Sequence, residues 1–198
     1  MLFPTETFYA LGCLASRADA VARIYQLKGR PVQLPLPLLA FDTAQVGNVA
    51  RLEGADALLA AQFWPGPLSL LLPVRAASNP ALVPQVVNAR GKLAVRVSPH
   101  PLAARLAHLA AGLLTASSAN LSGQPPARTV DELSPALLDA LAATEGGLLV
   151  PGCAEEVPGG GLPSTLVESL PNGGLRLLRQ GAVSTAMLTT AGWTVKEG

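Results

Sequence analysis

Two cysteines and two histidines in 198 residues leave little material for several kinds of chemistry. Cys13 and Cys153 stand singly, without the paired spacing of a zinc site or the density of a disulfide scaffold, and both read as small buried or loop residues. His100 and His108 fall together in a Pro- and Ala-rich helical stretch, which argues against a histidine-based metal site or a nucleophile–base triad. Charge is scarce too. Charged residues make up 14% of the chain and almost cancel, at a formal net charge of +1, so no bulk electrostatic footprint for nucleic acid is expected and any RNA contact is a local one. Long uninterrupted apolar runs are missing: the stretch at 102–116 is broken by Arg105 and His108, and no basic segment followed by an apolar one opens the chain. A cytoplasmic protein with no membrane association is the expectation.

What is present is a large supply of core. Apolar residues make up 49% of the sequence, enough to bury a substantial interior as one α/β or α+β domain over residues 1–198. Periodicity and punctuation order the elements. Asp19 is placed to cap a helix whose apolar positions Val21, Ile24 and Tyr25 share a face, and Gly29 followed by Pro31 stops it. Residues 35–41 read as a strand demoted by two prolines to an edge or irregular one. A helix at 55–63 ends before Pro65, and the apolar run at 68–72 reads as a strand buried on both faces. Another strand is expected at 93–97, then a helix opened by Pro99 and Pro101 and ended by Gly112. A short strand at 113–116 leads into a small-residue loop at 117–123, where open α/β sheets place ligands. Thr129 and Glu132 match a capping box for a helix to about 143, and an apolar segment follows at 148–150. The Gly-rich stretch 151–163, with Gly159, Gly160 and Gly161, reads as a surface loop or a lid. Strands at 164–168 and 175–179 and a helix at 184–191 complete the chain.

Four segments hold residues able to do chemistry. Thr5, Glu6 and Thr7 follow Pro4 in what by itself reads first as a self-bonded turn. Lys28 and Arg30 are two cations at a helix end; they either converge on phosphate oxygens or complement the helix dipole. The segment from Ser117 to Gly123 lets a ligand approach the backbone closely, yet it lacks the Gly-Lys-Ser/Thr ending of a P-loop and the G-x-S-x-G setting of a nucleophilic serine. Arg96 interrupts an apolar strand, and a buried guanidinium needs a partner: a structural carboxylate or a substrate anion.

Read in order, Pro4-Thr5-Glu6-Thr7 with Tyr9, Lys28 with Arg30 and Pro31, Pro35-Leu36, Trp64-Pro65-Gly66-Pro67, Val95-Arg96-Val97, Ser118 and Asn120 with Ser122-Gly123, Pro163-Ser164-Thr165, and Leu178-Arg179 with Gly181 resemble the TsaC/YrdC family of threonylcarbamoyl-AMP synthases. The likeness is strongest over residues 3–183. It implies a YrdC-like fold, a twisted mixed sheet with flanking helices around a deep, positively lined cavity. It also implies an ATP-dependent nucleotidyltransferase that makes L-threonylcarbamoyladenylate and pyrophosphate from L-threonine, bicarbonate and ATP. That product serves threonylcarbamoyladenosine formation at position 37 of tRNAs reading codons that begin with A. By the resemblance, Lys28, Arg30, Ser118 and Asn120 form the catalytic nucleotide site, joined by Arg179 for ATP; Thr7, Arg96, Ala116 and Ser164 hold threonine, Arg96 through a bidentate bond to the α-carboxylate. Mg²⁺ is expected with the phosphates, without a dedicated protein cage. tRNA and the downstream threonylcarbamoyl-transfer machinery are the further partners it suggests.

Two other readings stay open. One is a non-catalytic YrdC-like module that binds double-stranded RNA or tRNA in RNA or ribosome maturation, which the near-neutral charge disfavours. The other is a carbamoyl-adenylate activity of the hydrogenase-maturation type, usually found in longer chains. The sequence also departs from the family pattern. Only Met1, Leu2 and Phe3 precede the Pro4 motif where a helix and most of a strand are usual, so an open sheet edge or an opening in part of the pocket is expected there. Ala10 replaces a usual Gly, Leu34 a common basic residue, Leu39 an occasional His and Lys92 a frequent Thr; Lys92 is expected to return a charge to the pocket.

Overall fold

The apolar segment after Pro67 becomes strand β4 (Leu68–Pro73), whose first five residues are all buried. In this computed structural model, which describes residues 1–76, 82–152 and 161–197, that strand sits at the centre of a seven-stranded mixed sheet. The expectations for Cys153, Gly159 and Gly160 lie outside the described residues. Beside β4 run β5 (Lys92–Val97), antiparallel, and β8 (Thr165–Ser169), parallel. Beyond β5 lie β3 (Leu38–Ala40), parallel to it, and β6 (Leu114–Thr115), antiparallel to β3. On the other side β9 (Leu175–Arg179) pairs antiparallel with β8, and β10 (Val195–Glu197) pairs parallel with β9. A second, three-stranded antiparallel sheet joins β1 (Leu2–Phe3), β2 (Ala10–Leu11) and β7 (Ser117–Ser118) in that order.

The period of two along each strand sorts residues between two cores. Leu38, Leu70, Leu72, Leu93 and Val95 join the main core, together with Val21 and Ile24 of α1 (Ala18–Lys28), Leu59 of α3 (Gly54–Phe63) and Leu188 of α6 (Thr185–Thr190). Leu39, their odd neighbour on β3, points the other way and packs with Phe3, Leu114 and Ala116 and with Ala103 and Ala107 of α4 (Pro101–Leu109). Two shorter helices, α2 (Thr43–Gly47) and α5 (Pro135–Ala142), complete the flanks. The mixed sheet with helices against it is the α/β architecture expected. No helix among the described residues is long and apolar enough to cross a membrane.

Local chemistry explains where the sequence reading succeeds and where it fails. Gly29 closes α1 in the left-handed conformation at φ 56°, as anticipated. Asp19 is not its cap: Arg17 holds that position, and Asp19 sits inside the first turn, paired with the Arg17 guanidinium at 2.8 Å. The strand with two prolines is irregular rather than an edge: both prolines fall before Leu38, outside the pairing, and the three residues that remain lie between β5 and β6. The capping box is displaced as well. Glu132 accepts from the Arg128 amide, Thr129 makes no side-chain cap, residues Val130–Glu132 form a 3₁₀ turn, and α5 starts only at Pro135. Gly112 is not the residue that turns the chain after α4, since Ala111 takes the left-handed φ of 50°. The segment at 148–150 forms a single bridge, Leu149 to Leu2.

The open edge expected at the N-terminal residues does not occur. Leu2 exchanges backbone bonds with Leu148 and Val150 at 2.8 Å each, while β2 pairs its other side. Leu2 and Phe3 are wholly buried.

Candidate active site

Ala116 is where the chain passes from one sheet to the other. Thr115 still pairs in β6, the Ala116 amide donates to Pro37 O at 2.8 Å, and Ser117 already pairs with Leu11 in the small sheet. Residues 117 and 118 are therefore strand, not the loop expected. The divergence of the two sheets at this point leaves a cavity of about 400 Å³, within the range of small-molecule sites. Its wall includes Thr5, Thr7, Tyr9, Ala10, Arg30, Arg96, Ala116, Ser118, Ser164 and Arg179, with Pro37, Pro126 and Pro163 supplying rigid apolar surface.

Three arginines from distant segments meet there. Arg30, just past α1, donates from Nε to Leu34 O at 3.0 Å and from Nη2 to Pro35 O at 3.2 Å, which anchors it to the turn that leads into β3. Arg179, at the end of β9, grips Ser164: Nε and Nη2 donate to its carbonyl at 3.0 and 2.8 Å, and Nη2 to its Oγ at 2.8 Å. Ser164 Oγ lies 2.9 Å from Ser69 Oγ. The Arg179 residue reaches solvent, but burial of its guanidinium head, then the charges of Arg96 and Arg30, lower its pKa. That cross-talk marks a wall in want of anions.

Arg96 is buried on the face of β5 opposite Val95 and Val97, and it has the partner its burial demands. Nε donates to Glu6 Oε1 at 2.6 Å, Nη2 reaches Thr5 Oγ1 at 3.4 Å, and the second Glu6 oxygen accepts from Ser98 Oγ. A structural carboxylate thus holds one edge of the fork while Arg96 still lines the cavity. Thr7 is buried beside it, its Oγ1 3.1 Å from that of Thr5.

Lys28 and Asn120 are not on the cavity wall. The Lys28 ammonium turns under the strand carrying Ser118, donating to Ser118 O, to Asn120 O at 2.7 Å and to Asn120 Oδ1 at 3.2 Å. Asn120 is fully engaged: Oδ1 also accepts from Ser118 Oγ at 2.6 Å, and Nδ2 donates to Leu121 O and Gln124 O. Burial, then the neighbouring Arg30 charge, pulls the Lys28 pKa down to about 8. Of the nine residues singled out from sequence, the cavity gathers Arg30, Ser118, Arg179, Thr7, Arg96, Ala116 and Ser164, and leaves Lys28 and Asn120 behind its wall.

The departures resolve locally. Ala10 lines the cavity in extended backbone, so its methyl is accommodated. Leu34 is 52% exposed, with its carbonyl taken by Arg30 and Tyr25. Leu39 is core. Lys92 does not return charge to the cavity; it pairs with Glu168 at 2.8 Å, a buried carboxylate that also accepts from Arg90 and Arg176. Glycine at 181 is required by close approach: a Cβ there would stand 2.2 Å from Pro163 O and 2.6 Å from Thr165 N, directly behind Ser164.

Ser98 and Ser69 were missed by sequence reasoning, and Glu6 was named without its partner. A lone carboxylate among threonines and a lone arginine in an apolar strand were each visible, but their pairing across 90 residues was not. No three His, Cys, Asp or Glu side chains among the described residues converge as a metal cage.

The family model described as telomere recombination, Sua5/YciO/YrdC, matches residues 1–181. The chain belongs to the Sua5/YciO/YrdC family. Among curated members it is 40% identical over 144 residues to the threonylcarbamoyl-AMP synthase of Stenotrophomonas maltophilia (strain K279a), covering 70% of this chain and 74% of the relative. It is 36% identical over 166 residues to the synthase of Bacillus subtilis (strain 168), covering 79% of this chain but 47% of that one. Among solved members, P. abyssi Sua5 in its H234A/Y235A form superposes with a TM-score of 0.80 at 27% identity, over 100% of this chain and 57% of the other. The complex of P. abyssi Sua5 with L-threonine gives 0.77 at 28% identity, over 98% and 54%. The chain therefore spans little more than half of those solved family members. E. coli YciO, at 18% identity and a TM-score of 0.64, shares the fold.

Proposed function

We infer that this chain is a threonylcarbamoyl-AMP synthase, forming L-threonylcarbamoyladenylate and pyrophosphate from L-threonine, bicarbonate and ATP. The observation that carries the reading is the convergence of Arg30, Arg96 and Arg179 with Thr7, Ser118 and Ser164 on one cavity. The synthases of similar sequence and the threonine complex of a structural relative support it.

The chemistry suits such a wall. In the proposed reaction the threonine amine adds to bicarbonate with loss of water to give the carbamate, a carbamate oxygen attacks the α-phosphorus of ATP, the bond from that phosphorus to the bridging oxygen breaks, and pyrophosphate leaves with that electron pair. No protein nucleophile is needed; two anions must be brought together and the departing charge held. Arg30 and Arg179 are the proposed phosphate contacts, with the Ser118 hydroxyl beside them. Arg96, Thr7, Ala116 and Ser164 form the proposed threonine side. Lys28 and Asn120 enter the nucleotide site through the strand they brace. Mg²⁺ would arrive on the triphosphate, since Glu6, the carboxylate between two threonines of the cavity wall, is committed to Arg96 and Ser98. Use of the product for tRNA modification, and with it a cytoplasmic setting, completes the proposal.

The test is a direct assay of purified protein with ATP, Mg²⁺, bicarbonate and L-threonine, following pyrophosphate and the adenylate. Threonine-dependent release of both is the expected outcome. RNA binding without that release would replace this reading with the non-catalytic one.

A further inference from the structure

Glu6 is wholly buried and absent from the cavity wall, so it can touch neither substrate nor solvent. Burying a carboxylate in such a place is costly unless charge and hydrogen bonds compensate it. Here the compensation is specific. One oxygen accepts from Arg96 Nε at 2.6 Å and the other from Ser98 Oγ, so both are tied to side chains of β5 and of the segment just after it.

The geometry of the contact matters as much as its charge. A guanidinium presents five N–H donors in a rigid planar fork, and a bond at Nε fixes both the plane and the direction in which the Nη edge points. Glu6 takes Nε, and Thr5 Oγ1 steadies Nη2 at 3.4 Å. Nη1 makes no hydrogen bond among the described residues, on a side chain that lines the cavity. Without Glu6, Arg96 would sit among Arg30 and Arg179 with only the long 3.4 Å contact to Thr5 Oγ1, among the described residues, to resist rotation or retreat. With it, three guanidinium charges and one carboxylate leave a net of two positive charges beside the triphosphate of one proposed substrate and the carboxylate group of the other.

We propose that Glu6 is a positioning residue that, locked by Ser98, aims the free edge of the Arg96 guanidinium at the carboxylate of the amino-acid substrate. This rests on the functional reading above. It gives the Thr5-Glu6-Thr7 segment two jobs: the threonines face the cavity while the carboxylate between them faces backward and sets the arginine. Glu6 is not a catalytic residue, because it acts only through Arg96.

The experiment measures L-threonine and ATP affinities separately, by calorimetry, for the wild-type chain, Glu6→Gln and Ser98→Ala, with thermal unfolding recorded for each. Glu6→Gln keeps size and one acceptor but removes the charge; threonine affinity is expected to fall about tenfold or more, the scale of one charge-assisted hydrogen bond, while ATP affinity stays within about twofold. Ser98→Ala is expected to show a smaller loss confined to threonine, and it decides the matter alone should Glu6→Gln not fold. Equal losses for both ligands in step with thermal stability would make Glu6 merely structural, and unchanged threonine affinity would overturn the proposal outright. Wild-type protein that binds ATP but no threonine would instead sink the functional reading, and this inference with it.

Discussion

Lys28 and Asn120 are joined by two hydrogen bonds from one ammonium, to the backbone oxygen at 2.7 Å and to Oδ1 at 3.2 Å, and a third bond from the same nitrogen goes to Ser118 O. An ammonium has three donors, and all three are spent. The two cations at the end of α1 therefore divide their work. Arg30 faces the cavity; Lys28 turns away from it and fastens α1 to the strand that carries Ser118.

Lys28→Met keeps the length of the side chain and leaves Asn120 O without a donor among the described residues, while Ser118 O keeps the Asn120 amide at 3.0 Å and Asn120 Oδ1 keeps the Ser118 hydroxyl at 2.6 Å. Since a buried acceptor left unpaired costs about 1–3 kcal/mol and the other two oxygens each lose one of two donors, a loss of about 2 kcal/mol in unfolding free energy is expected. Chemical denaturation measures it. A loss below about 1 kcal/mol, accompanied by a large loss of ATP affinity, would show that Lys28 swings out to the nucleotide and that its internal bonds are incidental.

The same residue makes stability depend on pH with a definite sign. Its pKa falls from 10.5 to about 8 on folding, because burial and the nearby Arg30 disfavour the charged form. Between those two values the folded chain binds fewer protons than the unfolded chain, so the Lys28 contribution to stability rises with pH. Comparing the unfolding free energies of wild type and Lys28→Met at pH 7.5 and pH 10 isolates this term. The gap between them is expected to widen in favour of wild type at pH 10; a constant gap would mean that the carbonyl oxygens hold the proton despite burial.

Ala111 adopts φ 50°, a left-handed conformation that an L side chain occupies at a cost of about 1–2 kcal/mol. Ala111→Gly removes that strain and returns part of the gain as extra freedom in the unfolded chain. A net stabilisation of about 0.5–1 kcal/mol is expected, with ligand affinities unaltered, because the position lies beyond α4 and away from the cavity wall. Destabilisation on thermal unfolding would count against a strained turn here.

Much of the frame was legible because it rests on local rules. The apolar run that makes β4, the Val21–Ile24–Tyr25 face of α1 and the stop at Gly29 each follow from neighbours in sequence. The misplaced pieces depend on distant ones. β10 carries two charged residues among its three and gave no apolar pattern; it is held by backbone pairing with β9. Ser117 and Ser118 read as loop because small polar residues look the same whether or not a second sheet lies alongside to pair them. Seven of the nine proposed site residues reached the cavity because ordered motifs locate segments well. Motifs do not say which way a side chain turns, and Lys28, Asn120 and Lys92 all turned elsewhere.

Arg30 supplies the sharpest separation of function from structure. It is half-buried, its partners are two backbone carbonyls of the adjoining turn, and it has no carboxylate partner among the described residues. Arg30→Ala therefore leaves no buried charge stranded, and its effect on unfolding free energy is expected to stay within about 1 kcal/mol. The cavity, by contrast, loses one of its three guanidinium forks. Two of the four negative charges of ATP lie on the terminal phosphate, and a charge-assisted contact is worth about 1.5–3 kcal/mol, so ATP affinity should fall by roughly tenfold to a hundredfold. Threonine affinity measured without nucleotide should change far less, since Arg96 is held by Glu6 and Thr5 independently of Arg30. Calorimetric titration of each ligand, read beside thermal unfolding of the same preparation, gives all three numbers. Collapse of stability with unchanged ATP affinity would return Arg30 to the role of a helix-end cation, and the nucleotide would then have to be sought nearer Arg179.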